Sequence, residues 1–235
     1  MNTNDLKSLV RPVVRRFKSL IKPPLHRPDD QFAFRVLGSD YGGWPVMNGS
    51  LTTQSVVYCF GVGTDISFDL AVIGSFGCTV DAFDPTPRCI AWVQVQDLPA
   101  GFKFHDVGLS NKTEVLRFSA PPEDDFVSYT VAERSDSCEV VELPVEPLDE
   151  LMNRLGHETI DLLKMDIEGS EYPVIVDMMA KGIMPGQICV EFHHNMYGYT
   201  PDDTRKAVAM LRAAGYALHY VSQGGHEYGF HRADT

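Results

Sequence analysis

The stretch Val56-Val57-Tyr58-Cys59-Phe60-Gly61-Val62-Gly63-Thr64-Asp65 decides the fold. A short apolar run ends at Gly61, a second glycine follows at Gly63, and Asp65 to Gly74 reads as a helix. A strand that turns through glycines into a helix brings backbone close to a ligand and aims free helix N–H groups at it. The alternation continues downstream. Thr79–Phe83 reads as a strand stopped by Asp84-Pro85, Arg88–Val95 as a short helix and Phe102–Val107 as a third strand. Thr113–Phe118 and Glu139–Val145 alternate at period two around a polar loop at 121–137, the pattern of an inserted β-hairpin. Pro147 opens a helix through Leu155. Ile160–Met165 and Ile188–Phe192 read as buried strands, and Glu171–Lys181 and Asp202–Ala214 as helices closed by Gly182 and Gly215. Tyr216–Val221 and Glu227–His231, around Gly224-Gly225, close the chain as a hairpin. This order specifies a doubly wound α/β sheet, mainly parallel with an antiparallel edge strand. Such a sheet holds its ligand at the carboxyl ends of the strands, beside the reversal in strand order.

A chain of 235 residues suits one such domain. Residues 31–235 are assigned to it and 1–30 to a leader and linker. The leader repeats Leu6, Leu9, Val10, Val13, Val14, Phe17, Leu20 and Ile21 on one helical face, until Pro23-Pro24 stops it. Lys7, Arg11, Arg15, Arg16, Lys18, Lys22 and Arg27 stand against Asp5 alone, a net of +6 in a chain whose total is −12. A basic amphipathic helix either packs on its own domain or a second subunit, or lies on an anionic membrane through residues 1–22. The acidic body excludes nucleic acid as the main partner, because phosphate binding needs a basic face. Cys59, Cys78, Cys89, Cys138 and Cys189 show neither zinc spacing nor an even count, so they read as reduced thiols. With no apolar run of bilayer length and no signal-like stretch, the expected location is the cytoplasm, at most peripheral at the inner membrane surface.

Asp84 lies 23 residues after Gly61, where a carboxylate can accept hydrogen bonds from both hydroxyls of a ribose. Glycine turn plus acid implies a nucleoside cofactor, either a dinucleotide or S-adenosylmethionine. The third glycine of the dinucleotide fingerprint is replaced by Ile66, which weakens a nicotinamide oxidoreductase. Asp106 and Val107, ending the third strand, are expected beside the adenine. A second acidic mouth is formed by Asp161-Leu162-Leu163-Lys164-Met165-Asp166-Ile167-Glu168-Gly169-Ser170-Glu171. Asp166 and Glu168 leave the strand two apart, with Lys164 on the same parity, and Glu171 favours the next helix N-terminus. A purely structural reading pairs Lys164 with a carboxylate. The fifth strand ends in Glu191-Phe192-His193-His194, and parity puts His193 with Glu191 as the base for a hydroxyl. Asp166, Glu168, Glu191 and His193 are also the ligand types of Mg²⁺ or Mn²⁺, but no fixed ligand spacing supports a metal.

The segments YCFGVGTD, VDAFDPTP, EPLDELMNRLG, LLKMDIEGSE and ICVEFHH together resemble the FkbM family of S-adenosylmethionine-dependent methyltransferases, over about residues 40–231. The resemblance implies a class I methyltransferase-like fold: a seven-stranded, mainly parallel sheet with an antiparallel C-terminal strand. It also implies S-adenosyl-L-methionine as cofactor and transfer to a hydroxyl of a sugar, glycolipid or other small metabolite. By position it places cofactor contacts at Gly61, Gly63 and Asp84, with Asp166 near the transferred methyl and Asp106 as a weaker contact, while Glu168 and His193 join the expected catalytic group from the strand-end reading alone. Two positions depart from the family pattern, Cys59 for an acidic residue and Asp65 for a glycine. The ammonium of the cofactor's methionine part then needs another partner, Asp65 itself or a carbonyl of Tyr41-Gly42-Gly43-Trp44. A methyltransferase-like protein without catalysis is the remaining alternative.

Overall fold

The computed structural model of the chain describes residues 24–29, 31–119, 130–131 and 140–232. The leader helix expected over 1–22, Cys138 and most of the 121–137 loop lie outside these residues. In chain order the strands are β1 (Phe34–Leu37), β2 (Trp44–Met47), β3 (Val56–Phe60), β4 (Thr79–Phe83), β5 (Phe102–His105), β6 (Gly108–Leu109) and β7 (Glu114–Ser119). They continue as β8 (Thr130–Val131), β9 (Val140–Glu146), β10 (Leu162–Met165), β11 (Gln187–Glu191), β12 (Tyr216–Val221) and β13 (Glu227–Arg232). The helices are α1 (Ser67–Phe76), α2 (Pro87–Val93), α3 (Leu148–Leu155), α4 (Glu171–Ala180) and α5 (Pro201–Ala213). None of them is long and apolar enough to cross a membrane.

Seven strands form one sheet in the order β12-β13-β11-β10-β3-β4-β5. Strands β11, β10, β3, β4 and β5 run parallel, and β13 is antiparallel to both its neighbours. This is the seven-stranded doubly wound fold expected from the sequence. One detail differs, because the antiparallel strand is not at the edge. β13 lies between β11 and β12, and Tyr228 and Phe230 on it are fully buried, whereas β12 is half-open to solvent. A strand covered on both faces belongs inside a sheet. The third strand also stops early. His105 is tied to Asp81 at 2.8 Å and stacked on Phe83, and the chain then leaves the sheet to form β6 beside β9. The inserted hairpin is present as β7 against β9, in register from Glu114 with Val145 to Ser119 with Val140.

Strand parity sorts the side chains into two cores. Tyr58, Phe60, Leu163, Met165, Ile188 and Val190 pack with Leu151, Ile175 and Leu211 of α3, α4 and α5. Val57, Cys59, Leu162 and Cys189 face the other way, against Phe68 and Val72 of α1 and Trp44 and Val46 of β2. The β1–β2 hairpin was not evident from sequence. Gln187 pins it to the sheet by accepting from the Met47 N–H and donating to the Ser50 hydroxyl, both at 2.8 Å. Cys59, Cys78, Cys89 and Cys189 are buried free thiols.

The strand order reverses between β3 and β10, and there the turn after β3 crosses the end of β10. Gly61 has φ +77°, and a Cβ on it would lie 1.8 Å from the Asp166 carbonyl oxygen. Gly156, which closes α3 with φ +75°, has open space around it. Gly61→Ala is therefore expected to cost about 3–5 kcal/mol, left-handed strain plus overlap. Gly156→Ala should cost only the strain, about 1–2 kcal/mol. Urea denaturation of both variants checks this, and equal losses would mean that the crossing is looser than described.

Candidate active site

The carboxyl ends of β3, β4, β10 and β11 surround a cavity of about 390 Å³. Small-ligand pockets span roughly 300–1,000 Å³. Gly61, Gly63, Asp65, Asp84, Asp166, Glu168 and His193 all line it, so the structure brings seven of the nine expected site residues together. Asp106 and Val107 are not in the lining. Asp106 is exposed and Val107 is buried in the core, so Gly108 and Leu109 form that wall.

Asp84 is buried at the end of β4 and organises the turn. One of its oxygens accepts the Gly63 N–H at 2.9 Å, and the other accepts the Thr86 N–H at 2.9 Å and the Thr86 hydroxyl at 2.6 Å. Each carboxylate oxygen has two acceptor positions, so Oδ2 can still meet a ligand hydroxyl. Asp65 accepts from the Ser67 N–H at 2.9 Å and the Ser39 hydroxyl at 2.6 Å. Burial works against its charge, but these bonds and the nearby Lys164 hold its pKa below the usual carboxylate value.

Lys164 sits in the middle of the sheet, in register with Cys59 on one side and Cys189 on the other. Its ammonium donates to the carbonyls of Phe60 at 3.0 Å and Gly61 at 2.7 Å, and lies 5.5 Å from the centre of the Trp44 ring. The purely structural reading, a carboxylate partner for Lys164, is not what the structure shows, since the ammonium makes these two backbone bonds instead. Asp69, in the first turn of α1, also lines the cavity, and burial pushes its carboxyl up to about 6. Asp69, Tyr220, Ser222 and Glu227 are lining residues that sequence reasoning missed. Asp69 had a readable signal, a lone charge inside the apolar run of α1.

At the other end Glu171 is fully buried and holds the acidic mouth. It accepts the N–H groups of Ile167 at 3.0 Å and Gly169 at 3.0 Å, and the Nδ1–H of His193 at 2.9 Å. That bond turns Nε2 of His193 toward Glu168, at 3.3 Å, and Asp166, at 3.7 Å. Burial disfavours the charged ring, but the bond to Glu171 and the three carboxylates outweigh it and push the pKa up to about 10. Burial raises the pKa of Asp166, although Lys164 and His193 act against the rise. Glu168, Asn195 and Tyr197 adopt left-handed backbone at φ 53°, 67° and 52°, and the Tyr197 hydroxyl donates to Glu168. Strained non-glycine residues of this kind cluster at functional sites. His194 faces away from the cavity, stacked on His226, and burial lowers its pKa to about 4. Asp166, Glu191 and His193 bring ligand atoms within 4.8 Å of one another.

Residues 54–218 match the methyltransferase FkbM domain. The chain belongs to the FkbM methyltransferase family. The match takes in Gly61, Asp84, Lys164, Asp166, Glu171 and His193, and leaves out the β1–β2 hairpin and β13. The chain is 24% identical over 159 residues to the probable methyltransferase-like protein 24 of Rattus norvegicus, covering 67% of this chain and 38% of that protein. The Homo sapiens counterpart is 23% identical over 148 residues, 62% of this chain and 34% of that one. The chain thus spans little more than a third of the length of these relatives. Among solved structures it is similar to a methyltransferase FkbM from Methylobacillus flagellatus, with TM-score 0.47, 14% identity and coverage of 77% of this chain and 44% of that one. It is also similar to Aeropyrum pernix fibrillarin with natively bound S-adenosyl-L-methionine, with TM-score 0.44, 8% identity and coverage of 88% and 85%.

A His193 pKa raised from 6.5 to about 10 has a definite linkage. The stability it contributes is fully present below pH 6.5 and is lost as pH rises through 10. The NMR signals of the His193 ring should show a protonated imidazole at pH 8, and Glu171→Gln should bring its midpoint back toward the ordinary histidine range. The stability gap between the wild type and His193→Gln should shrink on going from pH 7 to pH 10. A ring that titrates near 6.5 in the wild type would contradict the clamp.

Proposed function

We propose that this FkbM-family chain uses S-adenosyl-L-methionine to methylate a hydroxyl of a sugar, glycolipid or other small metabolite. The observation that supports it best is the single cavity joining the Gly61–Gly63 turn and Asp84 to the Asp166–Glu168–His193 mouth. The residues fit the cofactor. Gly61 leaves the backbone bare where any side chain would collide, Asp84 offers a carboxylate oxygen for a ribose, and Lys164, Asp65 and Asp69 provide charges of both signs. When bound, the sulfonium supplies an electrophilic methyl group. A nicotinamide cofactor suits this turn less well, because Ile66 fills the third glycine position and its side chain is buried against Val62.

The chain's own groups then orient the acceptor and manage its proton. Holding reactants in line can supply about 7–11 kcal/mol of a barrier, and a general base adds a factor of about 10²–10⁴. Sequence pattern gave the base role to His193. A ring with pKa about 10 already carries its proton at neutral pH, so it cannot take another. In this reading Asp166, with its pKa raised, accepts the hydroxyl proton, while the His193 imidazolium holds the carboxylates in place and offsets developing negative charge. Glu171 and Tyr197 position His193 and Glu168.

Titration calorimetry with S-adenosylhomocysteine should show binding, with none for nicotinamide dinucleotides. Asp84→Asn should weaken it about 10- to 100-fold, the worth of hydrogen bonds to a charged acceptor. Simple glycosides and lipid-linked sugars are then screened for methyl transfer. With an acceptor found, Asp166→Asn should lower turnover at least about a hundredfold. Turnover should survive a chelator. If chelation abolishes it and Mg²⁺ restores it, a divalent cation held by Asp166, Glu191 and His193 replaces the imidazolium reading. A protein that binds neither cofactor is a methyltransferase-like binding module.

A further inference from the structure

The first described residues of the chain fix where its leader joins the domain. Asp29 lies along the middle of edge strand β12, where its N–H donates to the Leu218 carbonyl and its carboxylate accepts the Leu218 N–H, both at 2.8 Å. Traced back from there, His26 reaches the Tyr228 hydroxyl at 3.3 Å, and Pro24 packs on Gly225, where an added Cβ would lie 3.4 Å from the proline Cα. Gly225 is in the turn between β12 and β13, at the carboxyl ends of the parallel strands, and Ser222 and Glu227 on either side of that turn line the cavity. Residues 1–22 therefore join the domain at the rim of the cavity and not at the opposite end of the sheet. Two other loops on this rim expose apolar side chains. Tyr41, which lines the cavity, is 84% exposed. Met196 is 45% exposed, in the turn after β11 that Tyr197 anchors on Glu168.

The sequence supplies the chemistry of the leader. Between Met1 and Lys22 six Lys and Arg stand against Asp5 alone, and apolar residues from Leu6 to Ile21 recur at helical spacing. That combination suits the boundary of an anionic bilayer, where basic groups meet headgroup phosphates and an apolar stripe enters the acyl region. An exposed tyrosine on the same rim is at home at that boundary too. The cavity has the opposite bias, because Asp166, Glu168 and Glu191 in its lining repel free phosphate. Lipid anions are thus left to the leader, and the cavity to a group without negative charge. We propose that the rim carrying the leader, Tyr41 and Met196 docks on an anionic lipid surface, so that the cavity opens toward the bilayer and receives the uncharged sugar of a lipid-anchored acceptor. The docking stands by itself. The acceptor half rests on the proposed function and narrows it to glycolipids.

Cosedimentation of the full chain with vesicles tests the docking. Binding is expected to phosphatidylcholine vesicles that contain phosphatidylglycerol, weakening as salt is raised, and not to phosphatidylcholine alone. Arg15→Glu combined with Arg16→Glu should lower the affinity at least about tenfold. Met196→Asp should lower it several-fold. Val95→Asp adds the same charge at a residue 78% exposed beyond the far end of α2, and should leave it within about twofold. All these positions are exposed or outside the described residues, so thermal melts of the variants should coincide with the wild type. Absence of binding to the anionic vesicles overturns the docking. Equal losses in Met196→Asp and Val95→Asp, or none in either, overturn it as well, because the leader would then tether the domain without presenting its mouth. A leader variant that changes the mass in solution but not the vesicle binding would make residues 1–22 a subunit contact. With docking established, methyl transfer to soluble glycosides but to no sugar on the vesicle overturns the bilayer acceptor. Transfer to neither, with S-adenosylhomocysteine unbound, overturns the proposed function and leaves the docking in place.

Discussion

The ammonium of Lys164 is the interaction on which the site depends. It is buried in the centre of a parallel sheet, flanked in register by the small side chains of Cys59 and Cys189, and roofed by Trp44. Such a cation survives burial only with good partners, and it takes them from the carbonyls of Phe60 and Gly61. Those two carbonyls belong to the turn that must pass directly over Asp166. Lys164 therefore ties the end of β3 to the end of β10, with Gly61 making the crossing sterically feasible. The two ends of the cavity, glycine turn and acidic mouth, are held together from below by one charge.

Electrostatics at the mouth follow from a shortage of positive charge. Asp166, Glu168 and Glu171 converge there, and His193 is the cation set among them. Because Glu171 is fully buried and shared between the Ile167–Gly169 backbone and His193, it fixes the position of the loop and the orientation of the ring together. A buried group satisfied on all sides is expensive to disturb. The left-handed backbone of Glu168, Asn195 and Tyr197 is gathered on this rim, where that satisfied network can hold it in place.

Much of the fold was legible because it is written in periodicity. Val56–Phe60 and Thr79–Phe83 have the bounds expected from their apolar runs, and the expected stops Gly182 and Gly215 stand in the left-handed conformation just past α4 and α5, whereas α1 runs on past the expected Gly74 to Phe76. What was not legible depended on nonlocal contacts. The β1–β2 hairpin, two strands of four residues, is too short to stand out, and it is tied down by Gln187, about 140 residues away. The place of β13 inside the sheet is a pairing choice that no local pattern encodes. Gly61, Asp84, Asp166 and His193 were found because strand ends announce themselves, but protonation was not. Sequence gives histidine its ordinary pKa, and only three surrounding carboxylates reveal that this one differs. Asp106 and Val107 were displaced for a related reason. The strand before them stopped at a His105–Asp81 bond invisible in the run of residues.

The insertion of β13 between β11 and β12 also bears on the order in which the molecule can assemble. Until residues 227–232 have been synthesised, β11 presents an open row of backbone donors and acceptors, and β12 has no neighbour in the sheet. The parallel strands from β5 to β11 can pair beforehand, but one side of the sheet then remains adhesive toward other chains. Tyr220, Ser222 and Glu227, which line the cavity, arrive with that late hairpin. A nascent or clipped chain lacking β13 would therefore be both unfinished at the cavity and prone to pair edge to edge with its own copies.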